Sequence, residues 1–184
     1  MAYQVILQFS TSTSWQSTVI RNLCHSEFSH VDFVLPDGNL LGASDHKGGR
    51  VIKGNPRGVA IRPPDYQEFG IRRRMIIETD KADAIMAQAM SHLGKPFDRS
   101  AIYAFFGSNP WGRDWRAPEK FFCSELATVA FEDGGYWAPR KLLWPKDRVS
   151  PTDLYLMFMW DINFVNRDEF WNAIRGLKLG SKEH

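Results

Sequence analysis

Runs with apolar residues at every second position alternate along this chain with runs at helical spacing, the pattern of an α+β protein. Tyr3 to Phe9 alternates as a strand does, and in Ser14 to His25 the residues Trp15, Val19, Ile20, Leu23 and Cys24 recur at helical spacing. Short strands are expected at His30 to Leu35, Asn39 to Ser44 and Val59 to Arg62, and a longer one at Ile71 to Thr79. Pro36-Asp37-Gly38 reads as a hairpin loop, with proline presetting its own φ and glycine free to take a positive one. A helix from about Lys81 to Leu93 has Asp80 as its expected cap and Gly94 and Pro96 as its stop, and another from about Lys120 to Glu132 ends at Gly134-Gly135. Ser150-Pro151-Thr152-Asp153 is a helix start with proline at the first helical position, and an amphipathic helix is expected at about Arg167 to Leu177. No repeat, low-complexity tract or linker divides the chain, so residues 1–184 read as one α+β domain.

Composition narrows the classes open to it. A chain of 184 residues buries about two thirds of its unfolded surface, so a hydrophobic core suffices without staples. Lys and Arg number 23 against 21 Asp and Glu, and a net charge of +2 gives no reason to expect nucleic acid as a partner. The run Arg72-Arg73-Arg74 reads as a solvated strand edge. Met1 to Phe9 lacks the basic and apolar regions of a signal peptide, and 18 consecutive apolar residues occur nowhere, so no transmembrane segment and a cytoplasmic site of synthesis are expected. Cys24 and Cys123 stand in no metal-ligand spacing, the five histidines are scattered, and no glycine-rich phosphate loop opens a helix, so no metal or cofactor is expected. Cys24 reads as a small apolar residue filling the core.

Two segments carry the candidate chemistry. Ser29-His30-Val31-Asp32-Phe33-Val34-Leu35 is a strand that begins on a histidine, and Phe121-Phe122-Cys123-Ser124-Glu125-Leu126 is a helix start that bears a cysteine. At a helix N-terminus the unpaired N–H groups and the macrodipole favour thiolate over thiol and can hold a developing oxyanion. With His30 beside it, Cys123 becomes a base-activated nucleophile for acyl transfer. His30 would take the thiol proton and return it to the leaving group, and water would then release the acyl-enzyme.

These segments, together with Gly94-Lys95-Pro96-Phe97-Asp98, resemble the NlpC-type, papain-like cysteine peptidase superfamily. Because the histidine precedes the cysteine, the order is similar to that of the circularly permuted branch, which includes YiiX-like proteins, the lecithin retinol acyltransferase-like enzymes and many phage and bacterial proteins. The resemblance covers roughly Phe28 to Leu156. It implies a permuted papain-like (NlpC-like) fold, with the cysteine helix packed on a small antiparallel sheet, Cys123 as nucleophile and His30 as base. It also implies an amide substrate in a peptidoglycan stem peptide or a similar short peptide, and association with a virion or a secretion machinery.

The third catalytic member departs from the family, in which a polar residue follows the histidine by 12 positions; here that position is Gly42. If the hairpin loop has three residues, Leu35 pairs with Asn39, Asp32 faces Gly42 and His30 faces Ser44. Asp32 shares the face of His30, so it is the first choice to bind the imidazole across the gap that Gly42 leaves. Ser44 is the second choice, Asp45 and His46 come after it, and a bare Cys–His dyad is the alternative. On the same reading, a histidine at Gly42 could refill a vacant position.

Phe97 stands where relatives often carry tyrosine, which removes a hydroxyl and leaves oxyanion stabilisation to the backbone N–H of Cys123 or Ser124. Trp111 and Trp115, just before the nucleophile, read either as a wall of the substrate site or as core. Two other functions compete with the peptidase. A lipid-directed acyltransferase or thioesterase would line an apolar groove with Phe105, Phe106, Trp111 and Trp115, whereas a catalytically weak binding module of a phage particle would account for the loss of polar groups at Gly42 and Phe97.

Overall fold

The computed structural model describes residues 4–13, 15–23, 26–45, 56–98, 119–136 and 149–163. Their elements are β1 (Gln4–Ser12), α1 (Trp15–Leu23), β2 (His30–Val34), β3 (Leu40–Ser44), β4 (Gly58–Arg62), β5 (Phe69–Glu78), α2 (Ala82–Ser91), α3 (Cys123–Asp133) and α4 (Pro151–Asn163). The strands form one antiparallel sheet in the order β4-β3-β2-β1-β5, so the fold is α+β as the alternation predicts. No described helix is long and apolar enough to cross a membrane.

Alternation gives the sheet two unlike faces. Val5, Leu7 and Phe9 of β1, Val31 and Phe33 of β2, Leu41 and Ala43 of β3, and Met75 and Ile77 of β5 point to one side. There they join Ile85 and Ala89 of α2, Leu126, Ala127 and Phe131 of α3, and Leu154 and Phe158 of α4 in one core. Phe33 stacks on Phe131, whose ring also meets Phe158 at 4.6 Å between centroids. The other side holds Gln8, Ser10, His30, Asp32, Gly42, Ser44 and Arg62, which are also largely withdrawn from water, while Arg72 and Arg74 of β5 on that side are exposed. A polar surface without solvent must satisfy itself by hydrogen bonds, and the candidate chemistry lies on this face.

The hairpin has the expected register. Leu35 N–H donates to Asn39 O at 2.8 Å and Gly38 takes φ +84°, so the loop is Pro36-Asp37-Gly38. Phe33 pairs with Leu41, which sets Asp32 opposite Gly42 and His30 opposite Ser44. Arg72, Arg73 and Arg74 lie exposed on β5, an edge strand of the sheet, and Arg73 pairs with Glu27 at 2.8 Å.

Several boundaries differ from the pattern for physical reasons. β1 runs on past Phe9 to Ser12, because its partner β5 continues to pair with Ser10 and Ser12 across a register shift that apolar periodicity does not register. α2 starts at Ala82 without Asp80 as its cap; Asp80 pairs instead with Lys81, and the Thr79 hydroxyl accepts from Lys81 N–H at 3.1 Å. α3 starts at Cys123 and not near Lys120, because Phe121 is bound in a strand-like bridge to Phe97. The start at Ser150 is as expected: its hydroxyl accepts from Asp153 N–H at 3.1 Å, while the Asp153 carboxylate accepts from Ser150 N–H at 2.9 Å. Cys24, His46 and the expected helix at Arg167 to Leu177 lie outside the described residues, as do Phe105, Phe106, Trp111 and Trp115.

Candidate active site

Two straps bring the start of α3 to the start of β2. The segment Gly94 to Asp98 first pairs with the outer edge of β4, Val59 N–H donating to Lys95 O at 2.8 Å and Gly94 N–H to Val59 O at 2.9 Å. It then holds Phe121, which donates to Pro96 O at 3.1 Å and accepts from Asp98 N–H at 3.0 Å. On the far side, the Ser124 hydroxyl donates to Val149 O at 2.6 Å, tying α3 to the entry of α4. The Glu125 carboxylate reaches back to Phe122 N–H at 3.4 Å, half of a capping box.

Cys123 is thereby the first residue of its helix and is nearly buried. Its Sγ stands 4.0 Å from Ser29 O, one residue before His30, and Cys123 is among the groups that raise the His30 pKa. The residues lie 93 positions apart in the chain. The first intrahelical bond runs from Leu126 N–H to Phe122 O at 3.0 Å, so the N–H groups of Cys123 and Ser124 have no intrahelical acceptor and face the start of the helix. The Ser124 side chain takes no part there, its hydroxyl being committed to Val149. Phe97 is half-buried against the core beside Phe121.

Asp32, with a fully buried side chain, places Oδ1 2.9 Å from His30 Nε2. Gly42 makes this possible: a Cβ there would fall 1.9 Å from Asp32 Oδ1. The glycine is therefore the space in which the carboxylate sits and not a vacant position. The expectation that a histidine at 42 could refill it is corrected, since any side chain would displace Asp32. Ser44 stands opposite His30 but does not hold the ring, whose Nε2 is engaged by Asp32 and by Tyr66.

Tyr66 is the residue that sequence reasoning missed, and Arg62 comes with it. The Tyr66 hydroxyl lies 2.9 Å from His30 Nε2 and donates to Asp32 Oδ2 at 3.1 Å. Behind it, the buried Arg62 guanidinium lies 5.4 Å from the centre of the tyrosine ring and donates to the carbonyls of Gly42, Ala60, Pro56 and Gly58. The available signal was Arg62 itself, since a buried cation at an inward-facing strand position needs a partner. Nothing local pointed to Tyr66, which follows two prolines in a loop.

Electrostatics follow from the burial. Loss of water pulls the imidazolium of His30 down, but the Asp32 charge, then Cys123, outweighs this and holds its pKa up at about 10. Burial, and then the Asp32 charge, push the Tyr66 phenol well above its ordinary value, with Arg62 acting the other way. Burial lowers Arg62 from its usual value, while Tyr66 and Asp32 oppose the shift. At neutral pH the site thus holds a protonated His30, a protonated phenol and a guanidinium. Among the described residues no cluster of three His, Cys, Asp or Glu side chains could hold a metal ion.

A scan against protein-family models finds no match for this chain, and a search of curated proteins finds none.

Proposed function

We propose that the protein is a cysteine hydrolase that cleaves an amide bond through an acyl-enzyme on Cys123, with His30 as base and Asp32 as the residue that orients it. The observation that carries this reading is the meeting of the two elements: Cys123 Sγ lies 4.0 Å from Ser29 O, the residue before His30, while His30 Nε2 is held by the Asp32 carboxylate. Nε2 being occupied, Nδ1 is the nitrogen left to exchange a proton with sulfur. An imidazolium beside a thiol favours the thiolate, which attacks the carbonyl carbon; the Cys123 and Ser124 N–H groups at the helix start can receive the developing oxyanion. His30 then protonates the leaving amine, and water, deprotonated by the same ring, releases the acid and regenerates the thiol.

The helix start against a histidine-bearing antiparallel strand accords with a permuted NlpC-type papain-like fold, and with it a substrate of the peptidoglycan stem-peptide or short-peptide class. Gly42, which on sequence favoured an inactive module, now favours catalysis, because its missing side chain admits Asp32. The test is hydrolysis of a panel of short peptides and peptidoglycan fragments by the full chain, with mass spectrometry of the trapped intermediate. Hydrolysis with an acyl adduct on the Cys123 peptide, falling to background in a folded Cys123→Ala variant, is the expected result. Undiminished hydrolysis by that variant would overturn the proposal.

A further inference from the structure

We propose that Tyr66 is a positioning residue of the Cys123–His30–Asp32 unit, anchored from behind by Arg62, and that it fixes which nitrogen of His30 faces the thiol. This rests on the reading of Cys123 and His30 as nucleophile and base. A tyrosine kept only for packing needs one partner for its hydroxyl. Tyr66, fully buried, has three: Asp32 Oδ2, His30 Nε2 and, at 3.3 Å, Gln67 Nε2. Two of those are the proposed base and the residue that orients it.

Proton counting gives the consequence. A phenol donates once, and that hydrogen goes to Asp32 Oδ2, because a carboxylate only accepts. The 2.9 Å contact between Tyr66 and His30 Nε2 must therefore be filled by a hydrogen on Nε2, shared with Asp32 Oδ1. Neutral His30 then carries its proton on Nε2 and its lone pair on Nδ1, the tautomer needed to deprotonate Cys123. The hydroxyl also pins the far oxygen of Asp32, so the near one cannot rotate away from the ring.

The ring of Tyr66 is held by Arg62 on one side and by the edge-on Phe69, 5.5 Å between centroids, on another. Arg62 is itself fixed by strand carbonyls, that of Gly42 among them, so the glycine that makes room for Asp32 also anchors the cation facing it. Of the charged or titratable groups around His30, Asp32 on β2 and Cys123 on α3 favour the imidazolium, while Arg62 on β4 and Tyr66 in the loop after β4 face Asp32.

The test needs no substrate. The second-order rate of Cys123 alkylation by iodoacetamide is measured against pH by mass spectrometry for the wild type, Tyr66→Phe, Asp32→Asn and the double variant, with urea-unfolded chain as the ordinary thiol. Wild-type reactivity should persist well below the usual thiol value of about 8.5. Tyr66→Phe, which keeps the ring over Arg62, should move the profile upward by about one pH unit, a tenfold loss of thiolate at acid pH. Asp32→Asn should move it further, and the double variant should match Asp32→Asn, because Tyr66 acts through that carboxylate. An unmoved Tyr66→Phe profile, or shifts that add in the double variant, would overturn the positioning role. A wild-type profile equal to that of the unfolded chain would instead remove the nucleophile–base pair itself, so the two failures are distinct.

Discussion

The apolar core on one face of the sheet and the polar cluster around Asp32 on the other are both withdrawn from water and are held together by opposite means. On the helix side, Phe33, Leu41, Val31 and Phe9 lose water to one another and to α2, α3 and α4, and no contact there depends on direction. On the other side, Asp32, Arg62 and Tyr66 are as deeply buried, yet each is fixed by named hydrogen bonds. The first face tolerates change in proportion to the volume lost, whereas the second fails by orphaning a partner. A buried ionic network that could be replaced by hydrocarbon without loss of stability is weak support for a fold. Here it fixes the geometry of an imidazole.

The largest effects should be alike in stability and unlike in reactivity. Phe33→Ala should cost about 3–5 kcal/mol through the cavity it leaves. Arg62→Met should cost a similar amount, about 3–5 kcal/mol, by leaving several buried carbonyls without their donor. Urea unfolding checks the totals, and Cys123 alkylation of the folded fraction separates the causes. The acid-side reactivity should survive in Phe33→Ala and be lost in Arg62→Met. Equal retention in both would erase the distinction between the faces.

Dependence on pH should also belong to one face. The folded pKa of His30, about 10, lies above the value of 6.5 for a free histidine. The stability it contributes is therefore fully present below 6.5 and is lost as pH rises towards 10. The gap in urea midpoint between wild type and His30→Gln should narrow across that window, while the gap between wild type and Phe33→Ala should stay constant.

Within the polar face the effects should be graded by contact. Asp32→Asn should lower hydrolysis about 10²-fold with the fold retained, since the nearly isosteric amide removes the charge and unsettles the tautomer. Ser44→Ala, at a residue opposite the ring without holding it, should have the smallest effect, less than about twofold by a role confined to packing. A reversed ranking in kcat would transfer the orienting role to Ser44.

Much of this architecture is local, and local structure can be read from the chain. Period-two alternation assigned Val31 and Phe33 to one face and His30 and Asp32 to the other, and Pro36-Asp37-Gly38 set the register that brings Asp32 opposite Gly42. The gap left by the missing side chain of Gly42 then favoured Asp32 as the partner of the imidazole. The misplaced cap at Asp80 and the short start of α3 show where this stops: Thr79 competed for the first role, and Phe97 claimed the residues before Cys123.

The meeting of Cys123 with His30, across 93 positions, was suggested by likeness to a family and has no local signature. Tyr66 lies 36 positions from His30 in an ordinary loop and Arg62 in an ordinary strand. Neither pattern nor composition reveals which buried cation faces which buried anion. Periodicity reports which residues turn away from water, because burial is an average over many neighbours. Which donor meets which acceptor is decided only when the packed chain brings single atoms to about 3 Å, since hydrogen bonds are short-ranged and directional.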